Sequence, residues 1–260
     1  MKKLIAMLLA LTMAFALVAC GQTTNAPETT TAPVPETTGS TTGEEAPAVM
    51  TYAEYDAAAI DDAVTVACYV QATQSWWEDK ITVYAQDQDG AYFIYEMACS
   101  EEDAAKLVPG TKILVEGYKA EWSGEVEIID ATFEIVEGNY VADAEDVTAL
   151  LGKEELIEKQ NMFVAFKDMT VVAAGQDADG NDVAYLYKWD GSGQDGDDLY
   201  FNVESNGQTY TFTVESYLCD NTTDVYAAVK GLQIGDKVDM EGFLYWYEGV
   251  NPHITSVTVK

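Results

Sequence analysis

The sequence predicts an all-β chain with short helices, arranged as two tandem five-stranded Greek-key barrels behind a disordered linker. Three observations predict it. Segments of apolar–polar alternation are separated by turn residues, a short capped helix follows the third such segment, and the second half repeats the order of the first. Alternation with a period of two marks strands with one buried face. A generic antiparallel sandwich is the alternative reading of the same alternation.

In the first half, Val64 to Gln71, Lys80 to Gln86 and Ala91 to Glu96 alternate, with Asp89-Gly90 between the last two. Asp-Gly flanked by alternating apolar residues is a strong hairpin signal. Ser100 to Leu107 reads as a short helix with a serine cap and acids in its first turn. Thr111 to Tyr118 and Glu125 to Asp130 supply two more strands, joined around Ser123-Gly124. Three strands, a helix and two strands make the order of the OB-fold, a five-stranded Greek-key barrel.

The second half supplies Met162 to Val172, Leu199 to Glu204, Thr209 to Glu215, a helix over Asp224 to Leu232 and a strand from Gly235 to Phe243. Gly110 to Tyr118 aligns with Gly235 to Phe243, and in that register Trp122 falls on Tyr247 and Gly124 on Gly249. Glu154 to Gln160 reads as a helix packed on the second barrel's end, and residues 138–145 as a break between the barrels. The expected division is 1–19 signal peptide, 20–49 lipidated cysteine and polar stalk, 50–138 first barrel and 146–260 second barrel. An acidic insertion, 174–198, carries its own strand-like Val183 to Trp189.

The leader joins Met1-Lys2-Lys3 to an almost unbroken apolar run, Leu4 to Ala16, closed by Leu17-Val18-Ala19-Cys20. Positive start, short apolar stretch and small exit residues form a secretory signal, too short for a spanning helix of roughly 20 apolar residues. Leu-Val-Ala-Cys resembles the bacterial lipobox, which implies cleavage before Cys20 and a diacylglycerol and palmitate anchor on that cysteine. The chain is therefore expected on the extracytoplasmic side of a membrane, held by lipid. Thr, Pro, Glu, Gly and Ser dominate residues 22–49, leaving nothing to bury, so this stretch is expected to be a disordered stalk.

Net charge is -32 with 13 basic residues, all lysine, and one histidine. Without arginine the chain lacks the planar fork that recognises phosphates and base edges. The charge reading therefore disfavours nucleic acid as a partner and favours cations or basic proteins. The lone histidine excludes histidine-rich metal sites, and cysteine spacing matches no zinc site. Cys68 falls on an apolar strand face, where it reads as a small buried hydrophobe; a Cys68–Cys99 disulfide is the alternative. His253 reads as an ordinary half-exposed residue, so catalysis finds little support and the chain is expected not to be an enzyme.

Gly235-Asp236-Lys237-Val238, Gly242 and Tyr247-Glu248-Gly249 resemble the last two strands of bacterial OB-fold domains of the tRNA-anticodon-binding-like type. Such domains also occur in secreted nucleases and surface lipoproteins. The resemblance implies the barrel, and by association alone nucleic-acid binding. Barrels of this kind bind on strands two and three, between the loops joining strands one and two and strands four and five. Those loops hold Trp76, Trp77 and Trp122 in the first repeat and Tyr245, Trp246 and Tyr247 in the second, and Tyr84 and Tyr92 are expected on the cleft floor. Exposed rings stack on sugars, bases or peptide side chains. In the insertion, Asp177, Asp179 and Asn181 partly resemble a calcium loop, but Asp182 stands at the glycine position and Lys188 at the glutamate position. The leading expectation is a non-catalytic surface binding or adaptor protein for neutral glycans or peptides, with no cofactor other than the weak calcium candidate. A single-strand nucleic-acid binder and a structural protein–protein module are the alternatives.

Overall fold

A computed structural model describes residues 48–260. The leader, Cys20 and most of the stalk lie outside the described residues. Among the described residues no helix is long and apolar enough to cross a membrane.

Short helix α1 (Tyr52–Ala57) opens the described chain, nucleated by a capping box in which Thr51 and Glu54 satisfy each other's backbone donors. Then come β1 (Ala63–Thr73), β2 (Lys80–Gln86), β3 (Ala91–Ala98), helix α2 (Glu101–Ala104), β4 (Thr111–Trp122) and β5 (Glu125–Asn139). These five strands close a barrel in the order β1-β2-β3-β5-β4. All neighbours are antiparallel except β3 and β5, which run parallel where Phe93 faces Glu127. As the alternation predicts, Val64, Val66, Cys68 and Val70 line the interior with Val83, Ile94, Ile113, Val115 and Ile128. Cys68, Cys99 and Cys219 are buried free thiols, so Cys68 and Cys99 form no disulfide.

The second half adds β6 (Glu145–Asp146), two 3-10 turns (Thr148–Leu150 and Glu154–Lys159), β7 (Phe163–Val172), β8 (Gly175–Gln176), β9 (Asp182–Val183), β10 (Tyr185–Tyr187), β11 (Leu199–Ser205), β12 (Gln208–Val214), α3 (Asp224–Lys230), β13 (Lys237–Phe243) and β14 (His253–Val259). Five of these strands, β7-β11-β12-β14-β13, close through the β11–β7 and β13–β7 pairings, and β12 meets β14 in parallel. Both barrels thus share one topology, which is that of the OB-fold. Several details depart from the sequence reading. β4 runs through Trp122, so that tryptophan ends a strand instead of lying in a loop, and α2 is shorter than the Ser100 to Leu107 helix read from the sequence. The first barrel's last strand continues through Gly138 to Asn139, the second barrel's outer strands are β6 and β10, and the expected 183–189 strand is divided between β9 and β10.

The repeat is physical as well as textual. Gly117 of β4 and the aligned Gly242 of β13 both sit at register shifts where the barrel wall folds back on the last strand. A Cβ on Gly242 would lie 2.2 Å from the His253 carbonyl oxygen, and one on Gly117 would lie 2.8 Å from that of Ile129. Only a residue without a Cβ lets the backbones approach so closely.

Burial also runs through the wall. On β2 and β3 the inward Val83 and Ile94 are buried, and so are the outward Tyr84, Gln86 and Phe93. The outer face is covered because the second barrel packs there: Tyr84 stacks on Phe243 at 4.5 Å, and Phe163 lies 5.3 Å from Phe243. Fully burying each large apolar side chain contributes about 1.5–3 kcal/mol. Polar bonds fix the register of this seam. Gln86 accepts from the Phe163 amide (2.9 Å), Gln160 donates to the Gly124 carbonyl (2.7 Å) and Asn161 to the Val126 carbonyl (3.0 Å).

Glu125 is fully buried at the same seam; one carboxyl oxygen accepts from the Trp246 amide (2.8 Å) and the other has no partner. Burial pushes its pKa up to about 9, so the folded protein holds it protonated at neutral pH. In the unfolded chain it ionises from about pH 4.5. Its stabilising contribution is therefore complete below that value and is lost as pH rises toward 9. Glu125→Gln removes this titration, and thermal unfolding at about pH 8 should show a gain of about 1–3 kcal/mol that shrinks toward pH 5. Gly242→Ala should instead cost about 1–3 kcal/mol or more in denaturant unfolding, since the carbonyl facing it belongs to the barrel wall.

Candidate binding cleft

The loop after β1 separates two adjacent tryptophans by a tight turn. Trp77 and Lys80 exchange backbone hydrogen bonds at 3.0 Å, with Glu78 and Asp79 between them at positive φ. Trp76 folds inward, half-buried on the first barrel, and its indole donates to the Cys99 carbonyl at 2.9 Å. Trp77 turns outward and is 72% exposed.

On β3 the register slips: Ile81 pairs with Met97 and Val83 with Ile94, so two residues, Tyr95 and Glu96, stand opposite Thr82. Glu96 takes a φ of 45° and donates its amide to the Thr82 hydroxyl at 3.1 Å. This bulge leaves both Tyr95 and Glu96 exposed on the surface beside Trp77. Facing them are Glu215 and Tyr217 from the loop after β12, Tyr245 after β13, and His253 at the start of β14. Together with Gln74, Lys80 and Phe93 they line a cleft of about 650 Å³ between the barrels.

The floor of the cleft is a network of buried polar groups. Glu215 accepts from Gln74 Nε2 (3.2 Å) and from the amides of Tyr217 (3.0 Å) and Leu218 (2.9 Å). Burial pushes its pKa up to about 7, with the amide donors opposing and nearby Asp198 adding to the rise. His253 is buried rather than half-exposed, which corrects the sequence reading. Its Nδ1 lies 2.7 Å from the Tyr84 hydroxyl, and its ring stacks on Tyr245 at 4.3 Å. Burial lowers its pKa to about 3, so the ring is neutral across the physiological range.

The sequence-predicted site residues separate into groups. Trp77 and Tyr245 line the cleft. Tyr84 and Tyr92 are buried, Tyr84 at the seam and Tyr92 inside the first barrel against Tyr52 and Tyr55, so neither offers a floor to a ligand. Trp122 stands apart from the cleft lining, over Tyr247 at 5.1 Å, and Trp246 lies half-buried beside Gly124. The three tryptophans of the first repeat therefore do not share one cleft. Asp177 spends its carboxylate on the amides of Asp179 and Asn181 (both 2.9 Å) and on the Asn181 side chain (3.0 Å). That is a self-capped turn closing the β8–β9 ribbon. Among the described residues no three acidic, histidine or cysteine side chains gather to hold a metal ion.

Phe93, Tyr95, Glu215 and Tyr217 were not singled out from the sequence. One signal was available for the first two. Tyr84, Phe93 and Tyr95 place aromatic rings on the face of β2 and β3 opposite Val83 and Ile94, a pattern expected when both faces are in use.

No family model matches the chain, and no curated protein matches it. Solved structures of similar arrangement include a murine DNA-binding protein bound with double-stranded DNA, 12% identical, covering 75% of this chain and 94% of that one with a TM-score of 0.34. The Ifi202 HINa domain in complex with a 20-base-pair duplex is 12% identical, with 76% and 98% covered and a TM-score of 0.34. A replication protein A heterotrimer bound to single-stranded DNA is 10% identical, with 79% and 51% covered and a TM-score of 0.33. Likenesses at this level carry no argument about what this chain binds. The expectation that disfavoured nucleic acid stands against this finding, since these structures of similar arrangement hold duplex or single-stranded DNA, and it is not carried further.

The seam makes its own prediction. Since His253 is the sole histidine, its imidazole signals are unambiguous by NMR, and they should show a neutral ring down to about pH 4. Stability from this neutral ring is complete above the unfolded value of 6.5 and is lost as pH falls toward about 3. Tyr84→Phe removes the bond to Nδ1 and should cost about 1–2 kcal/mol in urea unfolding at neutral pH.

Proposed function

We propose that the protein is a surface-displayed, non-catalytic binding module that holds a ring-bearing or peptide ligand in the cleft between its two barrels. One observation carries the reading: Trp77 and Tyr217, 72% and 68% exposed, stand at a cleft whose floor is already closed by buried polar bonds. Exposed aromatic rings beside a preformed concavity provide stacking surfaces at little ordering cost. Neutral glycans and peptides fit this description, because rings stack on their apolar faces while Glu96, Gln74 and Ser75 offer polar partners. His253, the one histidine of the floor, is buried, neutral and tied to Tyr84, which supports binding over turnover. The lipobox-like Leu17-Val18-Ala19-Cys20 supports display from a lipid anchor outside the cytoplasm.

A second reading is single-stranded nucleic-acid capture. It is favoured by the position of Trp77 and Tyr95 on the loop after β1 and the β2–β3 surface, where barrels of this topology commonly bind, and where bases stack on aromatic rings.

Tryptophan fluorescence titration with a panel of neutral oligosaccharides and peptides, and with oligonucleotides at low salt, distinguishes the two. On the first reading the sugars or peptides shift the emission, and Trp77→Ala or Tyr217→Ala weakens binding by about tenfold. A response to oligonucleotides alone establishes the second reading in its place. Silence across the panel removes both and leaves a protein–protein spacer, for which a basic partner is the expectation.

A further inference from the structure

We propose that the cleft selects its ligand through an alkylammonium group, seated among the aromatic rings and the carboxylates of Glu78, Glu96 and Glu215. The inference rests on the reading of this cleft as the binding site and narrows what it takes.

The charges of the lining do not balance. Lys80 is its only cationic side chain against three carboxylates, and it is committed to Glu96 at 2.6 Å. The other Glu96 oxygen accepts from the Tyr95 hydroxyl at 3.2 Å. Glu78 and Glu215 therefore have no compensating cation in the lining, and the neutral ring of His253 adds none. At Glu215 one oxygen is occupied by Gln74 and Leu218. The other accepts only from the Tyr217 amide and keeps a lone pair for a further donor.

The aromatic rings point to the same chemistry. Trp77, Phe93, Tyr95, Tyr217 and Tyr245 share the cleft with these carboxylates. The negative faces of such rings attract a cation, most strongly where the site is partly desolvated. A neutral ligand would use the rings and leave the buried Glu215 carboxyl without a compensating cation. An ammonium on a flexible alkyl stem uses both: the stem lies on the rings, and the head donates to Glu215. The overall charge of -32 would also steer such a ligand toward the protein. Two sources carry the group, a peptide lysine and a free alkyl amine.

The test titrates full-length protein at about pH 8, where Glu215 is ionised and alkylamines remain charged. The probes are an N-acetylated trilysine amide against its Nε-acetylated counterpart, and 1,5-diaminopentane against 1,5-pentanediol. Each amine should bind about tenfold or more tightly than its neutral counterpart. The exposed Glu78→Gln should reduce that preference, and Glu78→Gln with Glu215→Gln should erase it. Trp77→Ala should weaken every probe. A tighter peptide identifies lysine as the source, and a tighter diamine identifies the free amine. If acetylated peptide and diol bind as well as the amines, the inference is overturned while the cleft remains a binding site. If these probes and the wider panel all fail to bind, both readings fall.

Discussion

The stacking of Tyr84 on Phe243, closed by the hydrogen bond between Tyr84 and His253, is the contact on which the rest of this molecule depends. It covers the outward face of β2 and β3, which would otherwise expose Tyr84 and Phe93 to water. With that face covered, two small barrels that each bury a modest core become one body. The cleft exists only as the open margin of this seam. Its two walls come from different barrels, and the distance between them is set by how Phe93 meets Tyr245 and how Tyr84 meets Phe243.

This arrangement changes where a ligand can sit. In an isolated barrel of this topology the whole β2–β3 surface would be free. Here its middle is occupied by the second barrel, and what remains accessible is the end reached by Trp77 and by the Tyr95–Glu96 bulge. The bulge thus serves two purposes: it bends the strand around the barrel, and it supplies a ring and a carboxylate to the cleft. Glu215 is held in place from the opposite wall by its own following amides, so the acid in the floor is preset before any ligand arrives.

The two halves also show what duplication preserves. Gly117 and Gly242 occupy equivalent corners, and in each barrel the third and fifth strands meet in parallel. The loops diverge. The first barrel's loop after β1 is a tight turn that separates Trp76 from Trp77, whereas the second barrel's has become the 174–198 insertion with a self-capped aspartate turn. Corner glycines answer to backbone contact within one barrel, so they repeat. Loop residues answer to what lies across the seam, so they do not.

The sequence by itself determined the ten barrel strands in their order, the hairpin turns and the Ser100 cap, because each rests on local periodicity or on residues a few positions apart, whereas strand ends and the short strands β6, β9 and β10 were not legible in it. It also determined that Cys68 points inward, by alternation alone. Tertiary structure decided the site. Whether Tyr84 lined a cleft or a seam, whether His253 was half-exposed or buried at a pKa of about 3, and whether three tryptophans met in one place all depended on where the second barrel docked. Docking is set by contacts such as Gln86 with Phe163 and Gln74 with Glu215, 77 and 141 residues apart. No periodicity connects such residues; only the closed fold brings them together.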